Sequence, residues 1–409
     1  MLRPSRAAFA FIFITVSLDM LALGLIVPVL PKLIVAFEGG DVAHAARIVG
    51  VFGFAWSAMQ FLASPVVGAL SDRFGRRPVV LLSNFGLGLD YLVMALAPSV
   101  SWLFVGRLVS GITSSSYSTA NAYIADVTPP DQRAGKFGLL GAAFGLGFII
   151  GPAVGGVLGD IDLRLPFWVA GGLSLANAAY GYFILPESLP REKRANVPWH
   201  MANPLGSLSF LRAHPELLAL GATFFLYYFA HEVYPTLFVL YGDYRYAWSA
   251  GQLGLTLALF GVGSTITSAL LIGPIVKRIG ERNAMMLGLS LSATSAVIVA
   301  LAYTGTLFLL SIPIACLGGL ATPSLIAIAS RQASETEQGR LQGALGSLQG
   351  IAMMVAPLVL SQIFAASIQH GGRDYAGVPF AFTALVILMA LLLAARATRG
   401  ARVVHISTA

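Results

Sequence analysis

The amino-acid sequence predicts an all-α membrane protein with twelve transmembrane helices in two pseudo-symmetric six-helix bundles, and three observations predict this class. Of the 409 residues, 57% are hydrophobic and 11% are charged, whereas about 25% of a soluble chain is charged. Twelve apolar runs are long enough to span a membrane. One long polar stretch separates the first six runs from the last six. This composition excludes a cytosolic enzyme, a disulfide-stapled secreted protein and a disordered chain.

The twelve predicted spans follow from the length of the apolar runs, because a membrane-spanning helix needs about 20 mainly apolar residues. Glycine and proline inside these runs are compatible with membrane helices, since neighbouring helices satisfy the freed backbone groups. The predicted spans are residues 8–30, 46–69, 78–98, 101–125, 137–159, 166–185, 215–240, 250–274, 284–303, 306–329, 341–367 and 378–395.

The polar stretch divides the chain into an N-terminal six-helix bundle (1–185), a cytoplasmic linker (186–214) and a C-terminal six-helix bundle with a short cytoplasmic tail (215–409). The two bundles repeat each other at an offset of 205 residues, which predicts an internal duplication of the kind found in secondary transporters. The matching residues are Gly138, Gly141, Gly145 and Pro152 with Gly343, Gly346, Gly350 and Pro357, and Gly75 and Arg77 with Gly280 and Arg282.

The distribution of Lys and Arg predicts the orientation of the chain. With the N-terminus in the cytoplasm, nineteen of the 25 basic residues fall in cytoplasmic segments, as the positive-inside rule requires. Both termini are therefore predicted to be cytoplasmic. The net charge of +7 does not indicate a nucleic-acid partner, because the basic residues are spread along the predicted cytoplasmic rim.

A tight glycine-arginine turn connects the second and third predicted spans, over residues 68–78. Gly75 is expected where the backbone needs a positive φ. Asp72 lies among arginines near a helix end, where charge-assisted hydrogen bonds can hold two helices together. The alternative is an ordinary basic loop. The residues predicted to form a cytoplasmic gate here are Gly68, Asp72, Arg73, Gly75, Arg76 and Arg77.

Few charged or titratable side chains fall well inside a predicted span: Asp19, Asp90, Arg107, His231 and Glu232. Such residues are costly in hydrocarbon and usually line a pathway or form pairs. A buried carboxyl without a cation can take up a proton, which favours proton coupling or substrate binding at Asp19 over the alternative of a helix-to-helix hydrogen bond. Asp90 and Arg107 either share that function or form a structural ion pair. Either Glu232 supplies proton coupling in the second bundle while His231 tunes it or contacts the substrate, or both residues lie in water at the outer mouth.

The sequence contains no motif for a metal, a cofactor or a catalytic centre. The histidines and the single Cys316 do not have metal-ligand spacing. No Gly-Lys-Ser/Thr phosphate loop is present, so ATP is not expected to supply energy. The chain is therefore predicted to be neither an enzyme nor a metalloprotein.

The turn at residues 68–78 resembles the signature loop of the major facilitator superfamily, and this resemblance implies that superfamily's fold. The fifth span is similar to the glycine-proline antiporter motif of its drug/proton antiporters, although the same residues could form a packing seam alone. The residues that carry this second similarity are Gly145, Gly147, Gly151, Pro152, Gly155 and Gly156.

Residues 15–160 resemble the tetracycline-efflux branch more specifically, through Leu18-Asp19, the run from Gly24 to Pro31, Leu89-Asp90-Tyr91-Leu92, Gly106-Arg107-Leu108 and Ile124-Ala125-Asp126. The resemblance adds Asp126 to the gate. It implies a monomeric, lipid-embedded, proton-coupled exporter of a small amphipathic compound in the bacterial inner membrane. The alternative is an importer or uniporter of a small metabolite. Members of the branch typically carry an acid in the ninth span, and residues 284–303 contain none.

Overall fold

The structure of the chain is a computed structural model that describes residues 6–114, 116–129, 132–194, 206 and 208–398. Residues 195–205 and 207 of the predicted linker, and the end of the predicted tail from residue 399, lie outside the described residues. The described part is helical and contains no β-strand, which confirms the prediction of an all-α protein.

The helices in chain order are α1 (Arg6–Ile26), α2 (Leu30–Phe37), α3 (Val42–Phe74), α4 (Arg76–Leu96), α5 (Val100–Thr113), α6 (Ser116–Val127), α7 (Arg133–Ile161), α8 (Leu165–Ile184), α9 (Leu208–Ala213), α10 (Pro215–His231), α11 (Val233–Tyr246), α12 (Ala250–Ile266), α13 (Ile272–Ile279), α14 (Glu281–Leu301), α15 (Gly305–Gly318), α16 (Ala321–Ser330), α17 (Gln338–Gly371) and α18 (Val378–Ala397). A π-helix, Thr267–Leu271, joins α12 to α13.

Each predicted span coincides with one of these helices or with consecutive helices that are separated by a short interruption. Nine helical stretches of the described chain are long and apolar enough to cross a membrane, and Val100–Thr113 is a shorter apolar helix. Prolines explain two interruptions. Pro31 and Pro235 have no N–H to donate to the carbonyl four residues earlier, and the breaks after α1 and α10 lie at those carbonyls.

The helix bounds repeat at the same offset of 205 residues that the glycine pattern predicts. α4 and α14 have equivalent first and last residues, and the break between α5 and α6 is equivalent to the break between α15 and α16. Gly75 and Gly280 also occupy equivalent turns, with φ of 106° and 80°. Only glycine adopts such angles readily, so both tight turns depend on the absence of a side chain.

The chain forms two compact units. Unit 1 comprises Met1–Pro204 together with Gly242–Gly261, and unit 2 comprises Leu205–Tyr241 together with Val262–Ala409. The core of unit 1 lies where α1 packs on α7 and α8 and α4 packs on α8, with buried side chains such as Leu25, Tyr91 and Phe167. The core of unit 2 lies where α14 and α10 pack on α18, around Phe224 and Met285.

The Gly242–Gly261 segment follows the predicted seventh span in sequence but packs within unit 1. Lys32 on α2 forms an ion pair with Asp243 and donates a hydrogen bond to the carbonyl of Trp248 at 3.0 Å. Ser249 donates a hydrogen bond to Asp160, at 2.9 Å. The segment is therefore fixed to unit 1 by polar contacts with α2 and α7.

Candidate functional site

Asp19 lies on α1, where its side chain is 6% exposed. Nδ2 of Asn177, on α8, donates a hydrogen bond to Oδ1 of Asp19 at 2.9 Å and a second to the carbonyl of Thr15 at 3.0 Å. No salt bridge reaches Asp19 from the described residues. A small cavity adjoins the carboxyl group, lined by Ile12, Thr15, Val16, Asp19, Met20, Val80 and Ala120. The site thus joins a buried acid, a neutral amide donor and a space next to them.

Asp90 on α4 and Arg107 on α5 interact electrostatically, but no hydrogen bond joins their side chains. Both carboxylate oxygens of Asp90 and Nε of Arg107 are buried without a hydrogen-bond partner in the described chain. A Cβ on Gly106 would stand 2.7 Å from Oδ1 of Asp90, so glycine provides the space for the carboxylate. The Arg107 guanidinium lies 5.2 Å from the ring centroid of Trp56, a cation–π arrangement.

His231 and Glu232 lie in unit 2, at the break between α10 and α11. Both side chains are half-buried. The His231 ring lies 6.0 Å from the Tyr227 ring and 5.9 Å from the Tyr234 ring. The described chain places no salt-bridge partner on Glu232. Broken helices in transporters commonly mark binding sites, and this break carries an imidazole ring among aromatic rings, followed directly in the sequence by a carboxyl group.

Arg76 is the centre of the glycine-arginine turn. It forms ion pairs with Asp72 at 2.6 Å and with Asp126 at 3.1 Å, and it donates a hydrogen bond to the Ser71 hydroxyl at 2.6 Å. The guanidinium is nearly buried, since the side chain is 10% exposed. These bonds join the end of α3, the start of α4 and the end of α6.

Glu187, which follows α8, completes the turn from the other side. Its carboxylate accepts a hydrogen bond from the Arg76 backbone N–H at 2.9 Å and pairs with Arg194 at 3.6 Å. A Cβ on Gly75 would collide with this carboxylate. Gly75 is therefore required by its positive φ and by the approach of Glu187.

The other predicted gate residues separate into two groups. Arg77 donates a hydrogen bond to the Tyr182 carbonyl at 2.5 Å, and the Gly68 carbonyl accepts one from Ser71 at 2.8 Å. Arg73 instead lies exposed with its guanidinium 5.3 Å from the Phe74 ring centroid. The structure therefore brings Asp72, Arg76 and Asp126 together and leaves Arg73 outside this cluster.

The glycines of the predicted antiporter motif lie on two faces of α7. A Cβ on Gly151 would stand 2.7 Å from the Cα of Gly24 on α1, and one on Gly155 would collide with the backbone of Leu25. A Cβ on Gly156 would collide with the Ala250 carbonyl. Pro152 lies inside α7, and Gly145 is half-buried earlier on the same helix. The motif thus allows close backbone contact with α1 and with α12.

Asn177 and Glu187 are functional candidates that the sequence reasoning does not single out. The available signals are an amide inside the apolar sixth span and an acid immediately after it. Neither signal identifies a partner, because Asn177 and Asp19 are 158 residues apart and Glu187 and Arg76 are 111 apart. Among the described residues, no group of three His, Cys, Asp or Glu side chains is placed to hold a metal ion.

Known proteins resemble this chain over most of its length. A profile of the Major Facilitator Superfamily matches residues 12–264 and 220–405. The tetracycline resistance protein, class C, of Escherichia coli is 39% identical over 366 residues, covering 89% of this chain and 91% of that protein. The class G protein of Vibrio anguillarum is 35% identical, covering 88% and 91%.

Solved transporter structures have the same fold. The human organic anion transporter MFSD10 matches with a TM-score of 0.69 and 26% identity, covering 95% of this chain and 99% of that one. The nucleoside transporter NupG matches with a TM-score of 0.80 and 13% identity, covering 95% and 99%. At that identity the likeness to NupG concerns the fold alone.

Proposed function

Because this chain belongs to the Major Facilitator Superfamily and is 39% identical to the tetracycline resistance protein, class C, of Escherichia coli, we propose that it exports a tetracycline-like amphipathic compound in exchange for protons. The observation that carries the proposal is Asp19, a buried carboxyl whose hydrogen-bond partner is a neutral amide. The membrane of residence is the bacterial inner membrane, with both termini in the cytoplasm.

Asp19 is the proton-coupling residue in this proposal. A charged carboxylate is costly in a low-dielectric interior unless a cation compensates it, and Asn177 supplies hydrogen bonds but no charge. Protonation of the carboxyl is therefore favoured when the site is closed off from water, because it removes the uncompensated charge. It releases that proton when alternating access opens it to the cytoplasm, which couples proton entry to export of the compound.

Asp90 and Arg107 add a second charged position in unit 1, and His231 and Glu232 add one in unit 2. The geometry at Asp90 supports a substrate or proton role, because its oxygens are not engaged by Arg107. Glu232 takes the place of the ninth-span acid typical of the tetracycline-efflux branch. The aromatic rings around His231 suit the planar, amphipathic surface of such a compound.

The Arg76 cluster acts as the cytoplasmic gate. Its bonds hold the end of α3, the start of α4 and the end of α6 to Glu187, so that this end of unit 1 moves as one rigid element when the gate opens and closes. Asp72, Arg76 and Asp126 carry this function directly, and Gly68, Arg73, Gly75 and Arg77 shape the turn. The chain works as a lipid-embedded monomer and catalyses no covalent reaction.

The test uses everted membrane vesicles with tetracycline as the probe. Asp19→Asn is expected to reduce uptake driven by a pH gradient at least about tenfold, which corresponds to roughly 1.4 kcal/mol in the coupled step. Counterflow of tetracycline without a gradient is expected to persist, because it needs no net proton movement. Glu232→Gln is expected to reduce gradient-driven uptake in the same assay.

Asp374→Asn is the matched control, since it removes a carboxylate from an exposed turn. Gradient-driven uptake at the wild-type rate in Asp19→Asn would overturn the role of Asp19. Wild-type uptake in Glu232→Gln would remove Glu232 from the coupling site. If expression raises rather than lowers accumulation of tetracycline in intact cells, the direction of transport is import.

A further inference from the structure

We infer that Asn177 is a positioning residue for Asp19, which fixes one carboxylate oxygen in both protonation states and directs the coupled proton to the other. The inference rests on the proposed function of Asp19. Asn177 is fully buried. Its Nδ2 donates to Oδ1 of Asp19 and to the carbonyl of Thr15. An amide nitrogen carries two hydrogens, so both donors are used on α1.

The orientation of the amide follows from these two partners. If Oδ1 and Nδ2 of Asn177 exchanged places, an amide oxygen would face the Thr15 carbonyl, which has no hydrogen to donate, and the Asp19 carboxylate, which has none when it is ionised. The observed orientation leaves Oδ1 of Asn177 buried without a hydrogen-bond partner in the described chain. Such an orphan acceptor is costly, so the two bonds to α1 hold the side chain against that cost.

The hydrogen bond to Asp19 is compatible with both protonation states. When Asp19 is ionised, Oδ1 accepts from Asn177. When Asp19 is protonated on Oδ2, Oδ1 remains a carbonyl-type acceptor and the same bond persists. Oδ2 is therefore the atom that binds the proton from outside and later releases it to water on the cytoplasmic side. Asn177 does not exchange a proton itself.

The surroundings of Asp19 supply few other charges. Tyr91 on α4 lies within electrostatic range of Asp19, Asp90 and Arg107. α7 meets α1 with glycine, because a Cβ on Gly147 would stand 2.8 Å from the Leu21 nitrogen, and α6 contributes Ala120 to the adjoining cavity. Among the described residues, the hydrogen bond from Asn177 is thus the direct polar contact on the carboxyl. Its removal is expected to change the proton affinity of Asp19.

The experiment measures gradient-driven tetracycline uptake into everted vesicles while the pH on the cytoplasmic face is varied. Asn177→Leu removes both donors, which disfavours the ionised form of Asp19. The pH of half-maximal uptake is expected to move upward by about one unit, a tenfold change in proton affinity. Asn177→Asp keeps the shape of the side chain and is expected to move it further, because two neighbouring carboxyls resist joint ionisation.

Ser174→Ala is the matched control, since Ser174 is buried one turn earlier on α8 and has no hydrogen bond to Asp19 in the described chain. Its pH profile is expected to match the wild type. An unchanged profile in Asn177→Leu, or in Asn177→Asp if the leucine variant does not accumulate, would overturn the inference. Reduced uptake by an equal factor at every pH would also overturn it, because that is the effect of a purely structural residue.

The inference and the proposed function fail in different ways. If Asp19→Asn retains gradient-driven uptake, Asp19 does not couple protons and the proposed function fails. If Asp19→Asn loses that uptake while the Asn177 variants keep the wild-type pH profile, Asp19 couples protons without being positioned by Asn177.

Discussion

Unit 1 and unit 2 repeat the same helices but differ in the side chains they bury. At the offset of 205 residues, Asp19 corresponds to Phe224, Asp90 to Ser295 and Arg107 to Ile312. The bounds of α4 and α14 are nevertheless equivalent. The repeated backbone therefore sets the helix ends and turns, whereas the buried polar and charged side chains differ between the units.

An ion pair occurs at equivalent positions in both units with its charges reversed. In unit 1, Arg76 pairs with Asp126 at 3.1 Å. In unit 2, Glu281 pairs with Arg331 at 2.6 Å, and these residues follow Arg76 and Asp126 by 205 positions. The attraction between α4 and α6, or between α14 and α16, is therefore preserved although each residue has the opposite sign. Unit 1 adds Asp72, Ser71 and Glu187 to its pair, and unit 2 does not repeat that cluster among the described residues.

The substitutions expected to destabilise the protein most lie at helix contacts in which the two units differ. Gly155 on α7 corresponds to Leu360 on α17, and Leu360 is fully buried. Gly155→Val places a side chain against the Leu25 backbone, which cannot move aside. We therefore expect the free energy of unfolding to fall by about 3 kcal/mol or more. Leu360→Ala is expected to destabilise unit 2 by about 2–5 kcal/mol for the opposite reason, a cavity. Thermal unfolding of the purified protein in detergent measures both.

Gly141→Ala is the control for the glycine prediction, because a Cβ at Gly141 meets no described atom within 4 Å. An alanine there is expected to be neutral or to stabilise α7 by up to about 1 kcal/mol. If Gly155→Val unfolds at the wild-type temperature, close contact between α1 and α7 is not required for stability.

Charge reversal at the two equivalent ion pairs is expected to change stability by an intermediate amount, and by different amounts in the two units. Reversing both charges in unit 2, Glu281→Arg with Arg331→Glu, is expected to restore most of the stability that either single change loses, because neither residue has a second ion-pair partner among the described residues. Reversing Arg76 and Asp126 is expected to restore little, since Asp72 and Ser71 lose their donor. Arg331 is 60% exposed, so the unit 2 coupling should stay below about 1 kcal/mol.

A double-mutant cycle on the unfolding temperature and on tetracycline uptake measures the coupling in each unit. The expected result is a larger coupling for Arg76 with Asp126, whose guanidinium is nearly buried, than for Glu281 with Arg331. Full recovery of the reversed unit 1 pair would show that the additional partners of Arg76 contribute nothing.

The sequence was sufficient for those features that depend on local pattern. Apolar run length predicts the helices, and the glycine-arginine pattern predicts the turn at Gly75. The bonds of Asn177 and Glu187 could not be predicted, because each joins residues more than a hundred positions apart and depends on how α8 packs. Likewise, two oppositely charged residues in neighbouring spans suggested that Asp90 and Arg107 could pair directly, but tertiary packing places the guanidinium beside Trp56.

The substitution expected to destabilise the protein least removes a polar contact that unit 2 has and unit 1 lacks. His214 lies 3.4 Å from Glu337, whereas the equivalent residues of unit 1 are Phe9 and Gln132. Hydrogen bonds from the Ser334 side chain and backbone, with the nearby His214 and Arg340, lower the pKa of Glu337. A lowered folded-state pKa stabilises the protein above the unfolded value of about 4.5, and that contribution is lost as the pH falls.

Glu337→Gln should therefore unfold slightly below the wild-type temperature near neutral pH and converge with it in acid, while the exposed control Glu192→Gln should follow the wild type throughout. A difference that grows as the pH falls would contradict the role of Glu337 and remove this distinction between the units.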